Sequence, residues 1–188
     1  MMEEEIKNTI EVLEAGGTVV YPTDTVWGVG CDATNPKAVN KINKLKKRLK
    51  SKNLIVLIDS EKKLENYVED VPDIVFDLIE NIEKPLTIIY PKAKNLAKNL
   101  IAKDGSIAIR ITKDEFSKKV AQKFNKPIVS TSANLSGEPS PISFKKIPKE
   151  IIENADYIVN IFHDTINEIK PSTIIKFNDN NVFTIIRE

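Results

Sequence analysis

Residues 18–30 read Thr-Val-Val-Tyr-Pro-Thr-Asp-Thr-Val-Trp-Gly-Val-Gly. The stretch Thr18 to Tyr21 is rich in β-branched residues and predicts a strand. Pro22 has no N–H to give a sheet, so it closes that strand. From Tyr21 to Gly30 the chain reads as a loop, in which two threonines, Asp24 and two glycines allow close backbone approach to a ligand. The competing reading is a plain turn, with Thr and Asp side chains bonding their own backbone.

Upstream of this stretch, Ile6, Ile10 and Leu13 fall on one face of a helix that Gly16-Gly17 stops. Downstream, Asn35-Pro36 predicts an N-cap followed by proline at the first helical position. That helix turns Ala38, Ile42 and Leu45 inward and ends in the basic run Lys46-Lys47-Arg48. The continuous apolar run Leu54 to Ile58 predicts a strand buried on both faces. Ile74, Val75, Leu78, Ile79 and Ile82 mark another amphipathic helix, followed by strands at Leu86 to Tyr90 and Ser106 to Ile111. Thr112 with Glu115 has the spacing of a capping box, opening a helix that buries Phe116, Val120 and Phe124. Four more strands are expected near Ile128 to Thr131, Tyr157 to Ile161, Ser172 to Phe177 and Val182 to Ile186.

Helices and strands mix without strict alternation, and no repeat of fixed period occurs. The pattern predicts an α/β or α+β fold built on a mixed sheet. The chain has 188 residues, enough for one domain that buries roughly 70% of its unfolded surface. No Pro/Gly/Ser-rich linker divides it, so one domain over 1–188 is expected.

A net charge of +1 hides 28 Lys and Arg against 27 Asp and Glu, so anion binding must come from local clusters and not from a global field. One cysteine, Cys31, excludes an internal disulfide and fits a reducing compartment. The start, Met1-Met2-Glu3-Glu4-Glu5, lacks the apolar run of a signal peptide, and no stretch approaches the ~20 apolar residues of a membrane span. A cytoplasmic location is expected.

Two further loops are unlike ordinary connectors. Lys46 to Asn53 holds five cations within seven residues and no carboxylate. Lysine offers a point charge to phosphate and arginine a planar fork, so a triphosphate suits this group; a solvated surface run is the plainer reading. Ser130 to Pro141 is a polar loop of hydroxyls and one amide, with Gly137 and two prolines. Such side chains bond phosphate oxygens or ribose hydroxyls, although ST-rich turns are common as well.

Other chemistries are excluded. There is no Walker A pattern and no dinucleotide-binding glycine fingerprint after a strand. A single His and a single Cys cannot build a zinc or iron centre, so no protein-bound metal site is expected. His163 has no nucleophile signature near it and reads as structural. Cys31 reads as a small buried hydrophobe.

In this order the three loops resemble the YrdC/YciO family. Gly16 through Gly30 meets its opening signature, G-G-x-x-x-Y-P-T-[DE]-[TS]-x-[YFW]-G-[LV]-G. Its Lys-x-Arg falls on Lys46 and Arg48, its Ser-x-Asn on Ser132 and Asn134, and S-A-N-x-S-G-x-P-S on Ser132 to Ser140. Ala108-Ile109-Arg110 resembles a family strand ending in a substrate-binding arginine, and Pro171-Ser172-Thr173-Ile174 its late P-S-T-[IV]. Any one match is weak; five in order are specific.

The resemblance implies an open, twisted mixed sheet flanked by helices around a basic concave cavity. It also implies a reaction, in which L-threonine, bicarbonate and ATP give threonylcarbamoyl-AMP and pyrophosphate. A separate transferase complex would then carry the threonylcarbamoyl group to the tRNA adenosine beside the anticodon. By the same resemblance, Lys46 and Arg48 are catalytic, while Arg48, Lys52, Ser106, Ser132, Asn134 and Ser140 meet ATP. Thr25, Leu57, Arg110, Ser130 and Ser172 hold threonine or its carbamate. Mg²⁺ is expected to arrive on the ATP. The short length fits family members that lack a C-terminal extension domain. A YciO-like nucleotide- or double-stranded-RNA-binding protein without efficient synthesis is the alternative, with weak RNA binding as its mark.

Overall fold

The computed structural model describes residues 1–47, 54–165 and 172–188. Its elements run α1 (Met2–Glu14), β1 (Val19–Tyr21), β2 (Gly28–Asp32), α2 (Pro36–Leu45), β3 (Ile55–Ile58), α3 (Ile74–Asn81), β4 (Leu86–Tyr90) and β5 (Ile107–Ile111). They continue with α4 (Glu115–Phe124), β6 (Ile128–Ser132), α5 (Lys149–Asn154), β7 (Tyr157–Ile158), β8 (Thr173–Phe177) and β9 (Phe183–Arg187). Short 3-10 turns lie at Glu61–Asn66 and Phe144–Lys146.

Among the described residues nine strands join one sheet in the order β7-β1-β2-β6-β3-β5-β4-β8-β9. The pairs β1/β7, β3/β5 and β4/β8 are parallel and the other five antiparallel, which is the mixed sheet expected. Because strand side chains alternate between faces, the sheet separates two apolar clusters. Val20, Val29, Cys31, Val56, Ile58, Ile88, Ile109, Val129, Ile175 and Phe177 belong to the larger one, which also takes Ala38, Val39 and Ile42 of α2. Their strand neighbours Val19, Tyr21, Leu57 and Ile128 turn to the opposite face. There they join Ile6 and Leu13 of α1 with Phe116, Val120 and Phe124 of α4. This smaller cluster covers only part of its face, and the remainder forms the floor of a cavity.

Local chemistry explains several boundaries. Gly16 sits at φ +71°, a left-handed turn that ends the first helical segment. Asn35 caps α2 as expected, its Oδ1 accepting from the Lys37 and Ala38 N–H groups at 3.0 and 3.3 Å. For α4 the capping-box expectation is corrected. The cap is Asp114, whose Oδ1 accepts from the Ser117 N–H at 2.8 Å. The Thr112 hydroxyl instead donates to Asp114 Oδ2 at 2.7 Å. A carboxylate nearer the helix start outcompetes the hydroxyl for the free amides.

The first loop is shorter than its sequence implies. Gly28 to Gly30 belongs to β2, whose five residues are all buried. A Cβ on Gly30 would lie 2.4 Å from the Val129 carbonyl oxygen and 2.9 Å from the Tyr21 ring. The glycine therefore marks close strand packing rather than a turn. The helix α5 and the 3-10 turn at Glu61–Asn66 were not legible in the hydrophobic pattern, and β7 spans only two residues of the expected strand.

Candidate functional site

Three elements of the first loop fix its shape. Thr23 Oγ1 donates to the Val26 carbonyl at 2.7 Å and accepts from the Thr25 and Val26 N–H groups. The loop is therefore a self-bonded turn that also faces a cavity, because Thr23 and Thr25 both line it. The Trp27 N–H then donates to the Pro141 carbonyl at 3.1 Å, and the Ala133 N–H to the Trp27 carbonyl at 2.8 Å. These bonds join the first polar loop to the third, although more than one hundred residues separate them in the chain.

The junction is apolar on its far side. Trp27 is buried, with Phe144 and His163 edge-on at 5.2 and 5.5 Å between ring centroids. The Phe144 and His163 rings stack at 3.7 Å, and His163 Nε2 lies 2.8 Å from the Val159 carbonyl oxygen. His163 is a packing residue, as its sequence context suggests. Cys31 is buried in the larger cluster, and burial pushes its thiol pKa up, away from the nucleophilic thiolate form.

The cavity between the loops measures about 470 Å³, a size typical of small-molecule sites. Thr25, Arg110, Ser130, Ser132, Ser140 and Ser172 line it, together with Ile55 and Arg187. Six residues expected to meet a ligand from sequence motifs therefore converge on one hollow. Sheet register explains the convergence. Ser130 of β6 stands beside Ile55 of β3, while Arg110 of β5 stands beside Thr87 of β4, which pairs with Ile174 and so brings in β8. A register shift between Ile174 and Ile175 then sets Arg187 of β9 opposite Ile174, on the same face as Arg110.

The other expected residues stand elsewhere. Leu57 is buried in the smaller apolar cluster, and Ile55, two residues earlier on the same face, lines the cavity. Ser106 is buried at the start of β5, where its hydroxyl donates to Asp104 Oδ1 at 2.6 Å. Lys46 and Asn134 are buried behind the cavity wall, with Lys46 Nζ donating to Asn134 Oδ1 at 3.1 Å. Arg48 and Lys52 lie outside the described residues.

Arg187 was missed by the sequence reading. Its only signal there is a lone cation at the end of an apolar strand. In the fold its Nε and Nη2 donate to the Ser172 carbonyl at 3.0 and 2.7 Å, and Nη2 reaches Ser172 Oγ at 3.2 Å. Burial, and then the nearby charge of Arg110, lower the Arg187 pKa. Arg110 is itself buried, with Asp24 as its ion-pair partner. Burial pushes the Asp24 carboxyl upward against the pull of Arg110.

Two arginines and no carboxylate are among the described residues lining the cavity. Such a hollow favours an anion with hydroxyl-bonding groups around it. Among the described residues no group of three or more His, Cys, Asp or Glu gathers to hold a metal ion. No helix among them is long and apolar enough to cross a membrane.

Fold and cavity together define a mixed α/β sheet protein with a cationic cavity between the first and third polar loops. The chain belongs to the Sua5/YciO/YrdC family, whose family model, described as Telomere recombination, matches residues 11–188. A threonylcarbamoyl-AMP synthase of Pseudoalteromonas translucida is 35% identical over 181 residues, covering 95% of this chain and 96% of its own length. Another, from Photobacterium profundum, is 31% identical over 163 residues, covering 82% of this chain and 85% of its own. Among solved structures, P. abyssi Sua5 complexed with L-threonine superposes with a TM-score of 0.87 at 27% identity over 97% of this chain. This chain spans only 53%, about half, of that longer protein. E. coli YciO gives a TM-score of 0.85 at 23% identity over 100% of this chain and 90% of its own, a likeness of fold alone.

Proposed function

We propose that this protein is a cytoplasmic L-threonylcarbamoyladenylate synthase, working as one domain over residues 1–188. It would make threonylcarbamoyl-AMP and pyrophosphate from L-threonine, bicarbonate and ATP, as the names of its relatives suggest. The observation that carries this reading is the meeting of Thr25, Arg110, Ser130, Ser132, Ser140, Ser172 and Arg187 around one cavity.

Roles follow from chemistry and position. Arg110, a buried residue of the cavity lining, clamps the threonine carboxylate, a planar fork meeting two oxygens. Thr25, Ser130 and Ser172 hold the threonine hydroxyl and the carbamate, with Leu57 backing the floor beneath them. Threonine's amine takes up bicarbonate with loss of water, and a carbamate oxygen then attacks the α-phosphorus of ATP. The bond from that phosphorus to the bridging oxygen breaks, and pyrophosphate leaves.

This brings one anion against another, so cations must offset the repulsion. Arg187, which shares the cavity lining with Arg110 and feels its charge, is proposed to serve both partners. Arg48 and Lys52 are proposed to reach the leaving phosphates. Ser132 and Ser140, with Asn134 supporting that wall, bond the nucleotide, and Ser106 is proposed to meet it from the start of β5. Mg²⁺ would enter on the phosphates, since the described residues offer no carboxylate cage for it. No covalent intermediate with the protein is needed, because positioning and charge supply the barrier reduction.

The product would pass to a threonylcarbamoyl transferase acting on tRNA. Incubation with ATP, Mg²⁺, threonine and bicarbonate, followed by mass spectrometry, tests the reading. Threonylcarbamoyl-AMP should accumulate, and only when all three substrates are present. ATP turnover that ignores threonine and bicarbonate, or salt-sensitive binding of duplex RNA without ATP binding, would replace it with the YciO-like alternative.

A further inference from the structure

We infer that Lys46 is a positioning residue, a buried cationic strut that shapes the nucleotide-facing wall without touching the nucleotide. The inference rests on the reading of the cavity given above. Lys46 follows directly on α2 and is only 2% exposed. It does not line the cavity, although its sequence motif and its charge both suggest a phosphate ligand.

Its ammonium touches the third polar loop. Its Nζ donates to the Asn134 carbonyl at 2.7 Å, to Asn134 Oδ1 at 3.1 Å and to the Ser132 carbonyl. An ammonium group has three protons to donate, and these three loop oxygens stand within their reach. The main chain of Lys46 adds a further tie, since its carbonyl accepts the Ser136 N–H at 3.1 Å. A single residue therefore grips the loop at positions 132, 134 and 136. Asn134 spreads that grip, accepting from the Ser132 hydroxyl through Oδ1 and donating to the Glu138 carbonyl through Nδ2.

The loop so held is the one that presents Ser132, Pro139 and Ser140 to the cavity. A loop of small polar residues would otherwise sample many conformations, and a ligand would have to order them at a cost in affinity. Lys46 holds the loop in shape before any ligand arrives. Burying an ammonium is costly unless its protons are satisfied, so the same bonds that set the loop also hold the lysine. Asparagine at 134 follows from this arrangement, because it alone offers an acceptor to Lys46 and a donor to Glu138 on one short side chain.

Replacement by the apolar isostere, Lys46→Met, with Lys46→Arg as the rescue variant, tests the role. Amide hydrogen exchange of the unliganded proteins should show protection over residues 132–140 falling about tenfold or more in Lys46→Met, and recovering in part in Lys46→Arg. The KM for ATP should rise about tenfold, with kcat changing much less. If protection and KM hold while kcat collapses, Lys46 acts on the transferring phosphates and the strut is wrong. Should Lys46→Met fail to fold, the parent protein decides through the ammonium signal of isotope-labelled lysine. That signal should be protected from solvent before ligand is added and should shift little when a non-hydrolysable ATP analogue binds. A large shift would overturn the inference. Absence of ATP binding by the parent would sink the nucleotide reading instead, and the exchange data on unliganded protein would still decide the strut.

Discussion

Nη2 of Arg110 lies 3.3 Å from Oδ1 of Asp24, an ion pair in which both side chains are largely withdrawn from water. It ties β5 to the turn after β1 beneath the cavity. Among the described residues the Arg110 Nε has no hydrogen-bond partner, which leaves a donor for a bound carboxylate. Removing one charge of a buried pair strands the other. Arg110→Met should therefore lose about 3 kcal/mol of stability, measured by urea denaturation. The double variant Arg110→Met with Asp24→Asn should recover much of that loss, yet neither protein should bind threonine. If the double variant is no more stable than the single one, the pair is not what holds this turn.

Arg187 offers a cleaner test of the cavity, because it stands on an edge strand whose five residues are exposed. Arg187→Ala should stay folded while kcat/KM for threonylcarbamoyl-AMP formation falls about 100-fold. Retention of more than half the parent activity would remove Arg187 from the site.

Gly30 and Gly137 should respond differently to alanine. At Gly30 the new Cβ would meet the Val129 carbonyl oxygen at 2.4 Å, so strands β2 and β6 must separate. Gly30→Ala should lose about 3 kcal/mol, at the upper end for overpacking. Gly137 has φ +96° and nothing within 4 Å of the added atom, so only backbone strain applies. Gly137→Ala should lose about 1 kcal/mol. Equal losses by thermal denaturation would contradict this packing of β2.

Asn35 caps α2 through Oδ1, so Asn35→Ala should cost about 1 kcal/mol and Asn35→Asp almost nothing. Urea midpoints for the two variants check this directly.

Asp104 links stability to pH. The Ser106 hydroxyl, then the Ser106 N–H and Lys176, hold its carboxylate, lowering the pKa from the ordinary 3.8 to about 2. A depressed carboxylate contributes stability above its unfolded value and loses it as pH falls through the folded one. The contribution should therefore be present above pH 3.8 and disappear toward about 2. Asp104 is largely exposed, so the effect is small. In Asp104→Asn the difference from the parent should vanish across that window; a difference that persists at the acid end would contradict the assignment.

Much of the fold was legible because strand and helix periods are local properties. Ile6 and Leu13, Ala38 and Ile42, and Phe116 and Val120 are buried as their spacing requires. β2 was hidden because two of its five residues are glycines, which ordinarily signal turns. The reason for Gly30 is the neighbouring strand, which no local pattern contains. The helix α5 was hidden because its six residues are too few to set up a period.

The candidate site divides in the same way. Motif residues such as Thr25, Ser130, Ser132 and Arg110 could be named from the chain because their types and order are distinctive. Which of them face one another depended on strand pairing. Register is fixed by partners far away in sequence, and a shift of one residue turns a side chain to the opposite face.

The amino-acid sequence by itself determined the periodic elements, the caps and the supply of polar loops, since each follows from interactions within a few residues. Only the tertiary structure decided that Arg187 joins the cavity, that Leu57 yields its place there to Ile55, and that Lys46 turns from solvent into a loop 86 residues away. Burial and charge pairing are properties of the assembled sheet. A lysine's role depends on which oxygens surround its ammonium, and those oxygens come together only when the chain has folded.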